Sequence, residues 1–437
     1  MPYWKPGLAG IAIGASLTFG HPAQADDTLY HNAMIWNGDA FQAGSLAIRD
    51  GMFIAPSDLS ADAERIDLNG AHIVPPYGNA HHHITYASEA SSWGFVDPGV
   101  FYVWNPNTVT PSDAAADATF YAQRGTYDVS ASMGGITEPF GHPERLYVEQ
   151  LSQYVYQGWE LPDFLGNAFH YGRTEGEIDA ALDLLLEQGA GFVKTYLLYS
   201  EDYGNRANQA NFYGQTGLNP ENFPYLVEAA HARGLPVAVH VQTRYDAVVA
   251  ARAGADMLAH LPAYSLERTE QGLAAVAFTE EEAAILGASG IVVVPTYLVA
   301  KRNSQYLPEE RRPTQAQLDA LHAVQAENLR RLHAAGVPIL TGTDGPQEVV
   351  TEIEHWVDIG GLSRGDALDE LFATPAHLFP QRRIGVLEPG YEASFLALNG
   401  DPLADLSALG DIALRIKQGE VMTGPVTDAE PAGTGDG

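Results

Sequence analysis

Residues 224–241 read Pro224-Tyr225-Leu226-Val227-Glu228-Ala229-Ala230-His231-Ala232-Arg233-Gly234-Leu235-Pro236-Val237-Ala238-Val239-His240-Val241. Pro224–Arg233 suits a helix, Arg233-Gly234 stops it, and Val237–Val241 is an apolar strand. The same alternation runs outward on both sides. Strand-like runs fall at Ile73–Pro76, Val100–Trp104, Tyr127–Ser132, Gly191–Leu197, Met257–Leu261, Ile291–Thr296 and Pro338–Thr343. Helical runs such as Glu177–Gln188 and Glu280–Ala288 lie between them, and Ala335-Gly336 is a second stop. Eight strands alternating with helices over about 300 residues predict an α/β fold, a (β/α)8 TIM barrel, with a doubly wound sheet as the alternative.

Both ends of the chain are β in character. The turn pairs Asn37-Gly38, Asp50-Gly51 and Gln418-Gly419 sit between short strand-like runs, as hairpins require. The predicted organisation is a small β-sandwich made by residues 26–75 and 384–424 beside a barrel spanning 76–383. Residues 425–437, rich in Gly, Pro, Ala and Asp, are expected to be a flexible tail. Residues 1–25 read as a signal peptide. Lys5 is a weak positive start, Leu8 to Phe19 is short and apolar, and Ala23-Gln24-Ala25 fits a small-x-small cleavage site. The expected location is therefore a bacterial periplasm or the outside medium, with no stable membrane association after cleavage.

The 437 residues are 46% hydrophobic, enough to bury a core and to exclude global disorder. The formal net charge of −32 repels phosphate backbones, which excludes nucleic acid as a partner. Cysteine is absent, so no disulfide, thiol nucleophile or Cys-based metal site is available. Any metal must be held by His, Asp, Glu or a modified Lys. A small-molecule substrate is the expected partner, and homo-oligomerisation is left open.

His81-His82-His83 follows the first predicted barrel strand. Alternation along an extended chain puts His81 and His83 on one side and His82 on the other, which makes a pincer for a divalent ion. His240, His260 and Asp344 each end an apolar run, and Lys194 sits inside one, where an ammonium is costly unless paired or modified. These positions close strands one, four, five, six and eight, on the face where barrels build their active sites.

This order, His-x-His, Lys, His, His, Asp, resembles the amidohydrolase superfamily, in particular its metal-dependent imidazolonepropionase-like and prolidase-like members. The resemblance covers nearly all of residues 28–424. It extends to Ala373-Thr374-Pro375-Ala376 and to the closing segment from Leu387 to Leu403. It implies that His81, His83 and Asp344 bind one metal and His240 and His260 a second. It also implies that Lys194 is a carbamate bridging the two. Zinc fits the donor set best, with Mn or Fe as alternatives. Asn79 stands where many members have Asp, a change in what supports the ligands. The implied reaction is hydrolysis of an amide or peptide C–N bond. Two ions ~3.5 Å apart would generate hydroxide from a bridging water, and Asp344 would shuttle the proton.

Substrate contacts are expected on the loops that follow the strands. Tyr196 and Tyr199 are candidate donors to the substrate carbonyl, and Arg302 is a candidate partner for a substrate carboxylate. His142 is a further lining residue. Aromatics after Lys194 (Tyr203, Phe212, Tyr213) and after strand one (Trp93, Phe95, Phe101) are candidates for a lid. Two rival readings are a lactonase, esterase or organophosphate hydrolase on the same binuclear site, and a non-catalytic periplasmic metal- or ligand-binding protein.

Overall fold

The computed structural model describes residues 27–109, 114–265, 272–345 and 349–424. The expected leader and tail lie outside them. Both ends of the described chain meet in one mixed sheet. Its strands run in the order Glu420–Val421, Ile412–Lys417, Phe395–Leu398, His72–Val74, Thr28–Trp36, Phe41–Arg49, Met52–Ile54, with Glu64–Asp67 also paired to Thr28–Trp36. The sequence distributes these strands over a sandwich; the hydrogen bonds join all eight into a single sheet. Tyr30, Ile48, Phe53, Ile73, Phe395 and Ile416 form its core. The turns at Asp50-Gly51 and Gln418-Gly419 have positive φ at both residues, as tight hairpins need. They also pack on each other: a Cβ on Gly51 would lie 2.7 Å from the Gln418 carbonyl oxygen.

The middle of the chain is α/β with parallel strands. Six run in the order Phe169–Tyr171, Gly135–Thr137, Val193–Leu197, Val237–Val241, Met257–Leu258, Val292–Val293. Three more pair as Tyr77–Asn79, Val100–Asn105 and Asp128–Ala131. Backbone bonds connect the two groups on both sides. Gly191 N donates to Ala131 O (2.9 Å), Leu340 N to Val293 O (2.7 Å) and Ala80 N to Thr341 O (2.7 Å). Two expected strands need correction. Ile73 belongs to the outer sheet, where it pairs with Ala397, and the strand leading to the histidines is Tyr77–Asn79. Pro338–Thr343 contributes one isolated bridge, Val293↔Ile339, because the Ile339 and Thr341 amides bond to the Glu370 and Thr374 side chains of a helix instead of a neighbouring strand.

Helices follow the strands, and several begin with side-chain caps. Thr243 and Asp246 form a reciprocal cap on helix Arg244–Ala253, and Gly254, with φ 84°, ends it. A buried ionic group fastens the outer sheet to the middle. Lys417, 1% exposed, lies 2.7 Å from Asp128, whose other oxygen lies 2.7 Å from Arg382. Arg382 also pairs with Glu392. Among the described residues no helix is long and apolar enough to cross a membrane.

Candidate metal centre

The chain turns out of strand Tyr77–Asn79 directly into the three histidines. Asn79 Oδ1 accepts from His81 N (3.1 Å), and its Nδ2 donates to Thr343 Oγ1 (3.1 Å). One amide thus ties the backbone of the first histidine to the segment that carries Asp344. An aspartate could accept but not donate, so Asn79 suits this link. His81 O also receives Asp344 N (2.8 Å). Asp344 has a left-handed backbone, φ 49°. Arg302 holds that segment from above, donating to Thr343 O (3.0 Å) and Asp344 O (2.7 Å).

Two carbonyls set the histidine tautomers. His81 Nδ1 meets Ala259 O at 2.5 Å and His83 Nδ1 meets Asn107 O at 3.0 Å. A carbonyl only accepts, so both Nδ1 atoms carry the proton and both Nε2 atoms present lone pairs. Those lone pairs converge. His81 Nε2 and His83 Nε2 are 3.0 Å apart, and Asp344 Oδ1 lies 3.1 Å from the second and 3.5 Å from the first. Three acceptors facing one another repel unless a cation sits among them. Ligands ~2.1 Å from a tetrahedral ion are spaced about 3.4 Å apart, so the triangle has the size of a coordination face. His81, His83 and Asp344 are accordingly grouped as possible holders of a metal ion.

The electrostatics agree with that use. Burial, with the Lys194 ammonium nearby, pushes His81 well below the ordinary histidine range, so its ring is neutral. Burial opposes ionisation of Asp344, but positive charge nearby, Arg302 included, outweighs it and holds the carboxyl below the usual carboxylate range. His82 points the other way, edge-on to Phe95, and accepts from Ile84 N. Burial lowers it to about 4.

The remaining expected ligands adjoin this group. The His81 and His260 rings are 4.4 Å apart, His260 and His240 4.7 Å, and His240 and His142 4.7 Å. Lys194 is 1% exposed in strand Val193–Leu197, and burial lowers its ammonium to about 7. Among the described residues no carboxylate lies within ion-pair distance of it, and the charge of Asp344 is felt there.

The expected substrate contacts are placed as follows. Tyr196 is buried, with its hydroxyl accepting from Asn107 Nδ2. Tyr199 is buried under the Arg206 guanidinium, 3.9 Å from its ring centre. Arg302 spends two donors on the carbonyls of residues 343 and 344. His142 flanks His240, in ring contact also with Tyr196. Phe95 and Phe101 are fully buried core residues rather than lid residues.

Four further groups escaped the sequence. Tyr264 stacks on His260 at 4.3 Å, and its hydroxyl lies 3.3 Å from Gln242 Oε1. Asn107, with φ 106°, serves His83 through its carbonyl and both Tyr196 and Tyr147 through its amide. Asp246 accepts from the amides of Tyr199, Ser200, Gln242 and Thr243, which pins the loops after two site strands. Glu352 does the same for Tyr297 and Leu298. Only Tyr264 left a trace in the sequence, its four-residue offset from His260; the others act through contacts distant along the chain.

The chain is 27% identical to ochratoxinase of Aspergillus niger over 263 residues, 57% of this chain and 50% of that protein. It therefore spans about half the length of the curated relatives it matches. The solved structure of A. niger ochratoxinase has a TM-score of 0.69 at 20% identity, covering 92% of this chain and 97% of that one. A Xaa-Pro dipeptidase with bound methionine gives 0.68 at 19% identity, covering 91% and 100%. Molinate hydrolase gives 0.67 at 15% identity, covering 95% and 99%. At such identities the structural likeness speaks for the fold, an α/β architecture typical of the TIM-barrel superfamily. The sequence model of the Amidohydrolase family matches residues 151–422, more than half of the chain, and this protein belongs to that family.

Proposed function

We propose that this protein is a metal-dependent hydrolase of amide C–N bonds in small molecules, exported by a bacterium. One observation carries the reading: two imidazole nitrogens and a carboxylate oxygen face one another within 3.5 Å, while a backbone carbonyl engages the far nitrogen of each ring. We further read residues 76–383 as a closed (β/α)8 barrel, a reading supported by the backbone bonds that join the two parallel sheets. Residues 26–75 and 384–424 are the unit beside it.

His81, His83 and Asp344 would hold one divalent cation, and His240 and His260 a second. Lys194, as a carbamate, would serve both. Cations there would lower the pKa of water and polarise a carbonyl, with zinc the best match to the donors. The chain supplies the rest. Ala259 O and Asn107 O keep His81 and His83 in the ligating tautomer. Asp344 takes the proton from water as its oxygen attacks the carbonyl carbon, and returns it to the nitrogen as the C–N bond breaks. The rings of His142, Tyr196 and Tyr264 beside His240 give the site an aromatic wall, which favours amides with an aromatic group.

The test is a panel of N-acyl amino acids, Xaa-Pro dipeptides and lactones. Amide cleavage should stop with a chelator, return with zinc or manganese, and be lost in Asp344→Asn and His240→Ala. Turnover indifferent to chelation and to both substitutions would remove the site from the chemistry. Cleavage of lactones alone would keep the site and change the bond.

A further inference from the structure

His260 is oriented differently from the first two histidines. Its Nδ1 meets a side chain, Thr296 Oγ1, at 2.8 Å, where His81 and His83 use backbone carbonyls. Thr296 is fully buried and has a left-handed backbone, φ 50°. That conformation is a true outlier for a β-branched residue and persists only where neighbours enforce it. The neighbours are visible. The next two amides, Tyr297 N and Leu298 N, donate to the buried Glu352 carboxylate at 2.7 and 3.0 Å, and Trp356 Nε1 secures the same carboxylate at 2.9 Å. Helix Leu298–Ser304 starts there and carries Arg302, which holds the Asp344 segment. The strained turn therefore sits on a rigid shelf and aims one hydroxyl at one histidine.

We infer that Thr296 is a positioning residue for the second cation: its hydroxyl fixes the ring orientation of His260 and can accept the Nδ1 proton, so that the opposite nitrogen is presented as a ligand. This rests on the reading of His260 as a ligand. A threonine suits the task because its β-branch restricts the rotamer and so the direction of the hydroxyl. Partners of this kind typically change metal affinity by about 10–100-fold.

The experiment is zinc titration of the metal-free full-length protein against a chromophoric chelator, with bound zinc counted. Thr296→Val, which keeps shape and loses the hydroxyl, should bind its second zinc about 10–100-fold more weakly, with the first within about twofold of the unaltered chain. Thr296→Ala, a second variant without the hydroxyl, should do the same should the valine variant fold poorly. Thr296→Ser should restore the second affinity to within about threefold. The inference is overturned if either hydroxyl-less variant, folded by near-ultraviolet circular dichroism, takes up both zincs as the unaltered chain does while His260→Ala loses the second. If His260→Ala also keeps both, the ligand assignment fails and the inference falls with it. Equal weakening in Thr296→Ser and Thr296→Val would mark a packing role and likewise overturn it.

Discussion

Arg302→Met separates two roles for one residue. The guanidinium donates to Thr343 O and Asp344 O, and those carbonyls flank the left-handed Asp344. Hydrogen bonds from a charged donor are worth about 1.5–3 kcal/mol each, and a left-handed non-glycine residue costs about 1–3 kcal/mol. The two bonds together therefore exceed the strain they hold, and without them the segment relaxes. Methionine keeps much of the apolar stem, so the loss isolates the head group. Urea unfolding of the metal-free chain should show about 2–4 kcal/mol less stability, and zinc affinity should fall about 10–100-fold because Asp344 loses its place. Gly345→Ala should act in the same direction, since a Cβ there would lie 2.4 Å from Arg302 Nη1. If instead stability stays within about 0.5 kcal/mol and zinc binding is unchanged while KM rises for carboxylate-bearing substrates, Arg302 faces the substrate and the reasoning is refuted.

Burial pushes the Glu352 carboxyl up from 4.5 to about 7. A raised folded pKa contributes stability that is present below pH 4.5 and lost as pH rises through about 7, an effect of about 3 kcal/mol. Metal-free Glu352→Gln should therefore gain about that much relative to the unaltered chain between pH 4.5 and 8, whatever its offset from the lost hydrogen bond; parallel stability curves would contradict this. Asp128→Asn strands the buried Lys417 and should cost about 3–5 kcal/mol by urea unfolding. Pairing it with Lys417→Met should recover most of that, and a double variant no better than the single one would exclude the buried pair as the cause.

The candidate ligands could be read in the sequence because a polar residue ending or interrupting an apolar strand is costly there. His240, His260 and Asp344 stood out by ending such runs, Lys194 by interrupting one and His81 with His83 by their alternation, and their groups adjoin. What supports them was hidden, because hydrogen bonds such as His260 to Thr296 or His83 to Asn107 join positions 36 and 24 residues apart and obey no period. Positive φ at Thr296 is equally silent in sequence, since a β-branched residue rarely adopts it. Apolar runs also do not name their sheet: Ile73 lies only a few residues before Tyr77, yet the two belong to different layers. Phe95 and Phe101 show the same ambiguity for aromatics, which suit a lid and a core equally well until burial decides.

Anomalous diffraction from crystals of the zinc-loaded protein tests the account most directly. Two peaks are expected, one at coordination distance, ~2.0–2.2 Å, from His81 Nε2, His83 Nε2 and Asp344, the other between His240 and His260. Density for a carbamate on Lys194 should lie between them. A map with no peak among His81, His83 and Asp344 in protein that turns over its substrate would contradict the account.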